Sequence, residues 1–175
     1  MDEICKYAGI DAFDTCNGVG CGTTLFVQGC SHHCRNCHNP ETWAFDGGKT
    51  FDKKIFDTLF SYLSQDSISR LTISGGEPFD NISMVCPIVK IFKEKYPNKK
   101  LWIYSGYAFE ELSIAALTSE DVRIVLCLCD VLVDGEFQCK KKDPSLAYRG
   151  STNQRIIDVQ KSLKYNQICF YDIPS

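Results

Sequence analysis

Residues 29–43, GCSHHCRNCHNPETW, hold three cysteines in a C-x3-C-x2-C spacing: Cys30, Cys34 and Cys37. Their eight-residue span reads as a loop curled about one object. Thiolates are soft ligands that suit iron–sulfur clusters and zinc. Three on one tight loop can hold three corners of an iron–sulfur cubane, leaving the fourth iron without a protein ligand. An open iron can bind a small molecule; a fully ligated electron-transfer cluster cannot. The same cysteines with His38 also compose a Cys3His zinc set. Zinc ribbons and fingers, however, usually bring their ligands as two separated C-x2-4-C pairs, and no such second pair follows downstream.

The rest of the composition bears on that choice. The chain has 175 residues, 11 cysteines and a formal net charge of -3. An odd cysteine count, no apolar leader over Met1–Lys6 and no apolar run long enough to span a membrane predict a cytoplasmic protein with reduced thiols. In that compartment clustered cysteines mean metal or redox chemistry. No basic face dominates, which argues against a nucleic-acid partner. Lys99–Lys100 and Lys140–Lys142 read as solvated surface. The length suits a single domain over 1–175.

Residues 1–22 read as an entry segment with turns, Gly-rich at Asn17-Gly18-Val19-Gly20. Its cysteines, Cys5, Cys16 and Cys21, match no metal spacing. Thr23–Gln28 is β-branched and apolar, a first strand that delivers the chain into the cysteine loop. Ile55, Phe56, Leu59, Phe60 and Leu63 then recur at helical spacing behind a possible cap at Asp52. Leu71–Ser74 is a second strand, and Asn81–Tyr96 a second helix with Pro87 in its first turns. Leu101–Tyr104 is a third strand and Glu110–Leu117 a helix. Glu120–Cys129 is ambiguous, because a short apolar run has no decisive period. Asp130–Val133 is a fourth strand and Arg155–Val159 a strand-like run, with 136–175 completing the site.

Strands alternating with helices predict parallel β/α units. A closed eight-unit barrel needs at least some 200 residues, so the expected fold is α/β, a partial (β/α) barrel of about five parallel strands. In such folds reactive groups sit at the carboxyl ends of strands. Each unusual motif falls there: the cysteine loop, Gly75-Gly76-Glu77-Pro78, Ser105-Gly106 and Asp134-Gly135. Glycines and proline routinely end strands, but two glycines also let the backbone approach a ligand on an open iron. Glu77 can buttress that arrangement or touch the ligand.

C-x3-C-x2-C followed by Gly-Gly-Glu-Pro at the next strand end resembles the radical S-adenosylmethionine family. The resemblance narrows to the activating component of the anaerobic (class III) ribonucleoside-triphosphate reductase. It is carried by Asn17-Gly18-x-Gly20, the C-x-H-x-C of Cys30, His32 and Cys34, and Asn39 with Thr42-Trp43. Asp130-Val-Leu-Val-Asp134-Gly135 and Arg149-Gly150-Ser151-x-Asn153-Gln154 continue it, so that it spans roughly residues 7–159. Two positions depart from the pattern: Asn36 and His38 stand where aromatic residues are common.

The resemblance implies a radical SAM-type fold and a [4Fe-4S] cluster on Cys30, Cys34 and Cys37. It implies S-adenosyl-L-methionine on the open iron, contacted by Asn36, Cys37, His38, Gly75, Gly76, Glu77 and Ser105. Reductive cleavage then yields a 5′-deoxyadenosyl radical, which takes a hydrogen from a glycine of the large glycyl-radical subunit of the reductase. A low-potential electron donor, flavodoxin-like or ferredoxin-like, is implied as well. Two other readings stay open: a radical enzyme acting on a small molecule, such as a compact deazapurine-forming synthase, and a zinc-stabilised module without catalysis.

Overall fold

The computed structural model describes residues 5–173; the reading of Met1–Ile4 lies outside them. Seven strands among the described residues form one sheet: β1 (Lys6–Asp14), β2 (Gly22–Val27), β3 (Lys49–Thr50), β4 (Arg70–Gly75), β5 (Lys100–Tyr104), β6 (Val131–Asp134) and β7 (Arg155–Asp158). Their order is β3-β1-β2-β4-β5-β6-β7. β2, β4, β5 and β6 are parallel, β1 is antiparallel to β2 and β3, and β7 is antiparallel to β6.

Two expectations are corrected. The run 155–159 does form a strand over Arg155–Asp158, but the parallel set numbers four rather than about five. A parallel neighbour needs a crossover, usually a helix. The stretch between β6 and β7 holds only a 3-10 turn at Cys139–Lys141, so the chain returns antiparallel. The second correction concerns the entry segment. Lys6–Asp14 is a nine-residue strand that is mostly half-buried, with register shifts between Tyr7 and Gly9 and between Asp11 and Asp14. A bulged strand with so little buried apolar surface carries no clean alternation to read.

The helices follow the sequence more closely. α1 (Lys53–Leu63) starts where the Asp52 side chain accepts from the Ile55 N–H. α2 (Ile82–Lys95) contains Pro87, and α3 (Phe109–Ala115) follows β5. The ambiguous run resolves as α4 (Glu120–Leu128), capped by Ser119 accepting from Val122 N–H. α5 (Val159–Tyr165) closes the series. No helix among the described residues is long and apolar enough to cross a membrane.

Strand alternation gives the sheet two unlike faces. Leu25, Val27, Leu71, Ile73, Leu101, Ile103 and Leu132 join α1, α2 and α4 in the main core through Leu59, Leu63, Val85, Val89, Phe92, Val122 and Val125. The residues between them, Thr24 and Phe26, Thr72 and Ser74, Trp102 and Tyr104, belong to the opposite face. There a smaller apolar cluster of Trp102, Val131, Val133 and Ile156 packs with Tyr104, Tyr148 and Tyr171.

Arg70, fully buried, fastens the segment before β2 to that second face. Its Nη2 donates to the Asp14 carbonyl at 2.8 Å and lies 3.3 Å from the Asp14 carboxylate, while Nη1 donates to Thr72 Oγ1 at 2.6 Å. Thr72 Oγ1 in turn donates to the Asn17 carbonyl at 2.8 Å. Burial pushes the Asp14 carboxyl up; the Thr24 hydroxyl, the Cys16 and Asn17 contacts and Arg70 outweigh it and hold the pKa below the usual value.

Removing one partner of a buried pair typically costs about 3–5 kcal/mol, and Arg70→Met is expected to lose that much in urea unfolding. A depressed carboxylate stabilises the fold above its unfolded pKa, about 3.9, and that contribution disappears as pH falls through the lower folded value. Stability should therefore drop with acidification below about pH 4. Asp14→Asn should flatten that slope, and an unchanged slope would remove Asp14 from the account.

Candidate metal centre

The cysteine loop is closed at its base. Gly29 N–H donates to Thr42 O at 2.8 Å and Cys30 N–H to Trp43 O at 3.1 Å. The buried Gln28 amide donates to Glu41 O and Ala44 O at 3.0 and 2.7 Å. Inside the loop, Cys37 N–H donates to Cys34 O at 3.1 Å. His33 and Asn36 have φ of 49° and 58°. Asn and His tolerate this left-handed region better than most residues, and the two reversals curl the loop within its short span.

The parallel register of β2 on β4 sets Val27 beside Gly75. Gly75 has a φ of 98°, which favours glycine. At Gly76 a Cβ would lie 2.3 Å from the Gly29 carbonyl oxygen, so this glycine is required by the close approach of the cysteine-loop base. Glu77 N–H and the Asn81 side-chain amide both donate to that carbonyl, at 2.8 and 3.0 Å. Asn81 thus ties two loops together instead of capping α2 with its side chain.

Glu77 is 1 % exposed. Its Oε1 accepts from Phe79 N–H at 3.0 Å and Ser105 Oγ at 2.9 Å, and its Oε2 accepts from Gly106 N–H at 2.7 Å. His32 Nε2 stands 3.3 Å from Oε2, an ion-pair contact without good hydrogen-bond direction, and His32 Nδ1 lies 2.9 Å from Glu136 Oε1. The Glu77 contact, opposed by burial and joined by Glu136, pushes the His32 pKa up to about 9. Asp80 adds another tie, accepting from Ser31 N–H and from the Tyr107 hydroxyl, each at 2.8 Å.

These ties enclose a cavity of about 150 Å³. Cys30, Cys34 and Cys37 line it together with Gly75, Gly76, Glu77 and Ser105, and His38 stands at its edge against Phe137, ring centroids 4.9 Å apart. Of the residues expected to contact a ligand, Asn36 alone lies elsewhere: its amide donates to Cys139 Sγ at 3.0 Å on the outer side of the loop. Ser105 and Glu77 line the cavity but spend their side-chain oxygens largely on each other and on backbone amides. Asp134 is buried at the end of β6, where its carboxylate accepts from Phe109 N–H and pairs with Arg155.

A larger cavity, about 510 Å³, adjoins the first along His38, Asn39, Ser74, Tyr104, Phe137 and Gln154. It reaches Cys16 and Asn17 on one side and Tyr148, Arg149 and Gly150 on the other. The Arg149–Gln154 motif is folded on itself here: Gln154 Oε1 accepts from Gly150 N–H at 2.9 Å and Arg149 Nη1 donates to Gln154 O at 2.7 Å. Gln154 Nε2 and Asn153 Nδ2 donate to Gly135 O and Glu136 O. Tyr104 Oη and Arg149 Nε are buried without a hydrogen-bond partner among the described residues, so this wall holds unclaimed donors. Burial pushes the Tyr104 hydroxyl pKa well above its usual value, which keeps it a donor. The sequence reading missed Tyr104 and Phe137; Tyr104 could have been found, since it ends a parallel strand.

No group of three or more His, Cys, Asp or Glu side chains among the described residues is arranged to hold a single metal ion. A cubane asks for something different, three thiolates each on its own iron, and three cysteines around one cavity fit it. Burial pushes the Cys30 and Cys34 thiols up, so metal loading would have to displace their protons.

Comparison with known proteins agrees. A family model described as a 4Fe-4S single cluster domain matches residues 16–157. A Pasteurella multocida (strain Pm70) protein is 42% identical over 147 residues, 82% of this chain and 90% of its own length. An Escherichia coli (strain K12) protein is 38% identical over 145 residues, 81% and 90%. One from Enterobacteria phage T4 is 34% identical over 153 residues, 86% and 92%. All three are named anaerobic ribonucleoside-triphosphate reductase-activating protein. The chain belongs to that family. As a member of the activating-protein family it carries an iron–sulfur domain, whose matched span covers the cysteine loop, the Gly-Gly-Glu turn and both cavities.

Gly76→Ala is expected to push the Gly29 backbone away and lower the iron bound per chain after anaerobic reconstitution, with the far-ultraviolet circular dichroism retained. Full iron loading in that variant would show that the close approach is dispensable.

Proposed function

We propose that this chain is an activating enzyme that cleaves S-adenosyl-L-methionine reductively at a [4Fe-4S] cluster and places a glycyl radical on the large subunit of an anaerobic ribonucleoside-triphosphate reductase. The observation that carries the reading is the joining of two cavities, which share His38, Ser74, Tyr104 and Gln154. Three thiols and the Gly75–Glu77 turn line one; the Arg149–Gln154 motif lines the other. When bound, the cluster and S-adenosyl-L-methionine supply a 5′-deoxyadenosyl radical able to remove a hydrogen atom from a glycine α-carbon.

The protein's own work is placement. Cys30, Cys34 and Cys37 would hold the cluster, and the backbone of Gly75–Gly76 would accept from the ligand's ammonium group. Glu77, with its oxygens committed to Phe79, Ser105 and Gly106, fixes that backbone rather than reaching into the cavity. His38, whose ring lies against Phe137, would meet the adenine. Tyr104 and Arg149 offer free donors to a peptide entering the larger cavity. The chain acts as one domain in this reading, with a low-potential carrier as electron donor.

After anaerobic reconstitution, reduction with dithionite and addition of S-adenosyl-L-methionine, 5′-deoxyadenosine is expected from the wild type and not from Cys34→Ala. Asn153→Ala should keep iron content and 5′-deoxyadenosine formation. Its yield of glycyl radical on the partner, read by electron paramagnetic resonance, should fall, by up to about a hundredfold for a misplacement of about 1 Å. Loss of iron in Asn153→Ala would assign the motif to folding; no 5′-deoxyadenosine from the wild type would end the radical reading.

A further inference from the structure

The side of the cysteine loop turned away from the cavity carries positive charge that the chemistry above does not use. Arg35 and Asn36, between the second and third cysteines, line a groove with Phe137, Gln138, Cys139 and Lys140. The Asn36–Cys139 hydrogen bond holds the 3-10 turn Cys139–Lys141 against the loop, so that Lys140 lines the groove with Arg35 and Lys141 and Lys142 follow it in the chain. All four cations are exposed. None makes an ion pair among the described residues, whereas Arg70, Lys93, Lys100, Arg123 and Arg155 do. The carboxylates nearest the three lysines in sequence make contacts of their own: Glu136 faces His32, and Asp143 accepts from Ser145. On a chain of net charge -3 this patch has the opposite sign to the whole.

We propose that this face docks a small acidic one-electron carrier, which reduces the cluster from the outer side of the cysteine loop. The inference rests on the reading that the chain holds a reducible cluster, and it assigns the place and chemistry of the donor. On the cavity side the approach is taken up by the bound small molecule and the incoming glycine loop. On the outer side Arg35 and Asn36 are joined through the chain directly to Cys34 and Cys37. The step is balanced without bond changes: the carrier loses one electron and the cluster gains it. Transient redox complexes bury little surface and depend on charge steering for their rate. An unpaired basic patch beside an apolar groove suits that demand, and its pull should weaken with salt.

Anaerobic stopped-flow mixing of the reconstituted protein with a photoreduced acidic flavodoxin reads the loss of visible cluster absorbance. The affinity for oxidised flavodoxin, by calorimetry, reads docking without turnover. Lys140→Glu/Lys141→Glu is expected to slow flavodoxin-driven reduction about tenfold at low ionic strength, to weaken binding in parallel and to flatten the salt dependence. Iron content and dithionite-driven 5′-deoxyadenosine formation should stay at wild-type levels. Arg35→Glu should act in the same direction; because it sits inside the cysteine loop its iron is assayed first, and the lysine pair decides if that iron is lost. An unchanged flavodoxin rate in the lysine variant overturns the proposal. So does a variant that accepts flavodoxin electrons normally but, once reduced by dithionite, cannot deliver a radical to the reductase subunit, because the face then belongs to that subunit. A wild type that forms no 5′-deoxyadenosine with dithionite strikes the functional reading itself, a separate failure.

Discussion

A carboxylate removed from water must have its charge met by the protein, and at Glu77 that requirement organises the site. Four groups from three segments converge on it: Phe79 and its own turn, Ser105 and Gly106 after β5, and His32 from the cysteine loop. Each segment leaves the sheet at the carboxyl end of a parallel strand. Glu77 therefore acts as a common post. The loop with the three thiols, the Gly-Gly turn and the Ser-Gly turn cannot shift independently without leaving part of a buried charge unpaired. Glu136, through His32, extends the same network to the segment after β6.

The sheet supplies the second constraint, because its two faces do unlike jobs. One carries the main core under α1, α2 and α4. The other gives Phe26, Ser74 and Tyr104 to the larger cavity, and the segment around Cys16–Asn17 closes over part of it. Arg70 links these, since its side chain holds the Asp14 and Thr72 groups that carry the Asn17 backbone. Loss of Arg70 would thus be felt at the cavity wall as well as in stability.

Much of this was legible in the chain. The four parallel strands stand out as apolar, β-branched runs, and the thiol loop, the Gly-Gly-Glu turn, Ser105 and His38 meet at one cavity as strand-end logic requires. What escaped reading depends on long-range pairing or local backbone. β1 hides because its residues are mostly half-buried and bulged. The direction of β7 is set by the lack of a helix between 135 and 154, which an apolar run cannot reveal. Asn36 sits next to a cysteine in sequence, yet its positive φ turns its side chain outward to Cys139. Glu77 left two roles open, and only the geometry of its four partners favours the buttress.

The central claim is that three thiolates from one short loop hold a four-iron cubane whose fourth iron is left for a small ligand. Mössbauer spectroscopy of the protein, reconstituted with the active iron isotope and recorded with and without S-adenosyl-L-methionine, tests it most directly. The account predicts a [4Fe-4S] spectrum in which the ligand changes the parameters of one iron in four. A spectrum that the ligand leaves unaltered, or a protein that takes up zinc in place of iron under the same anaerobic conditions, would contradict it.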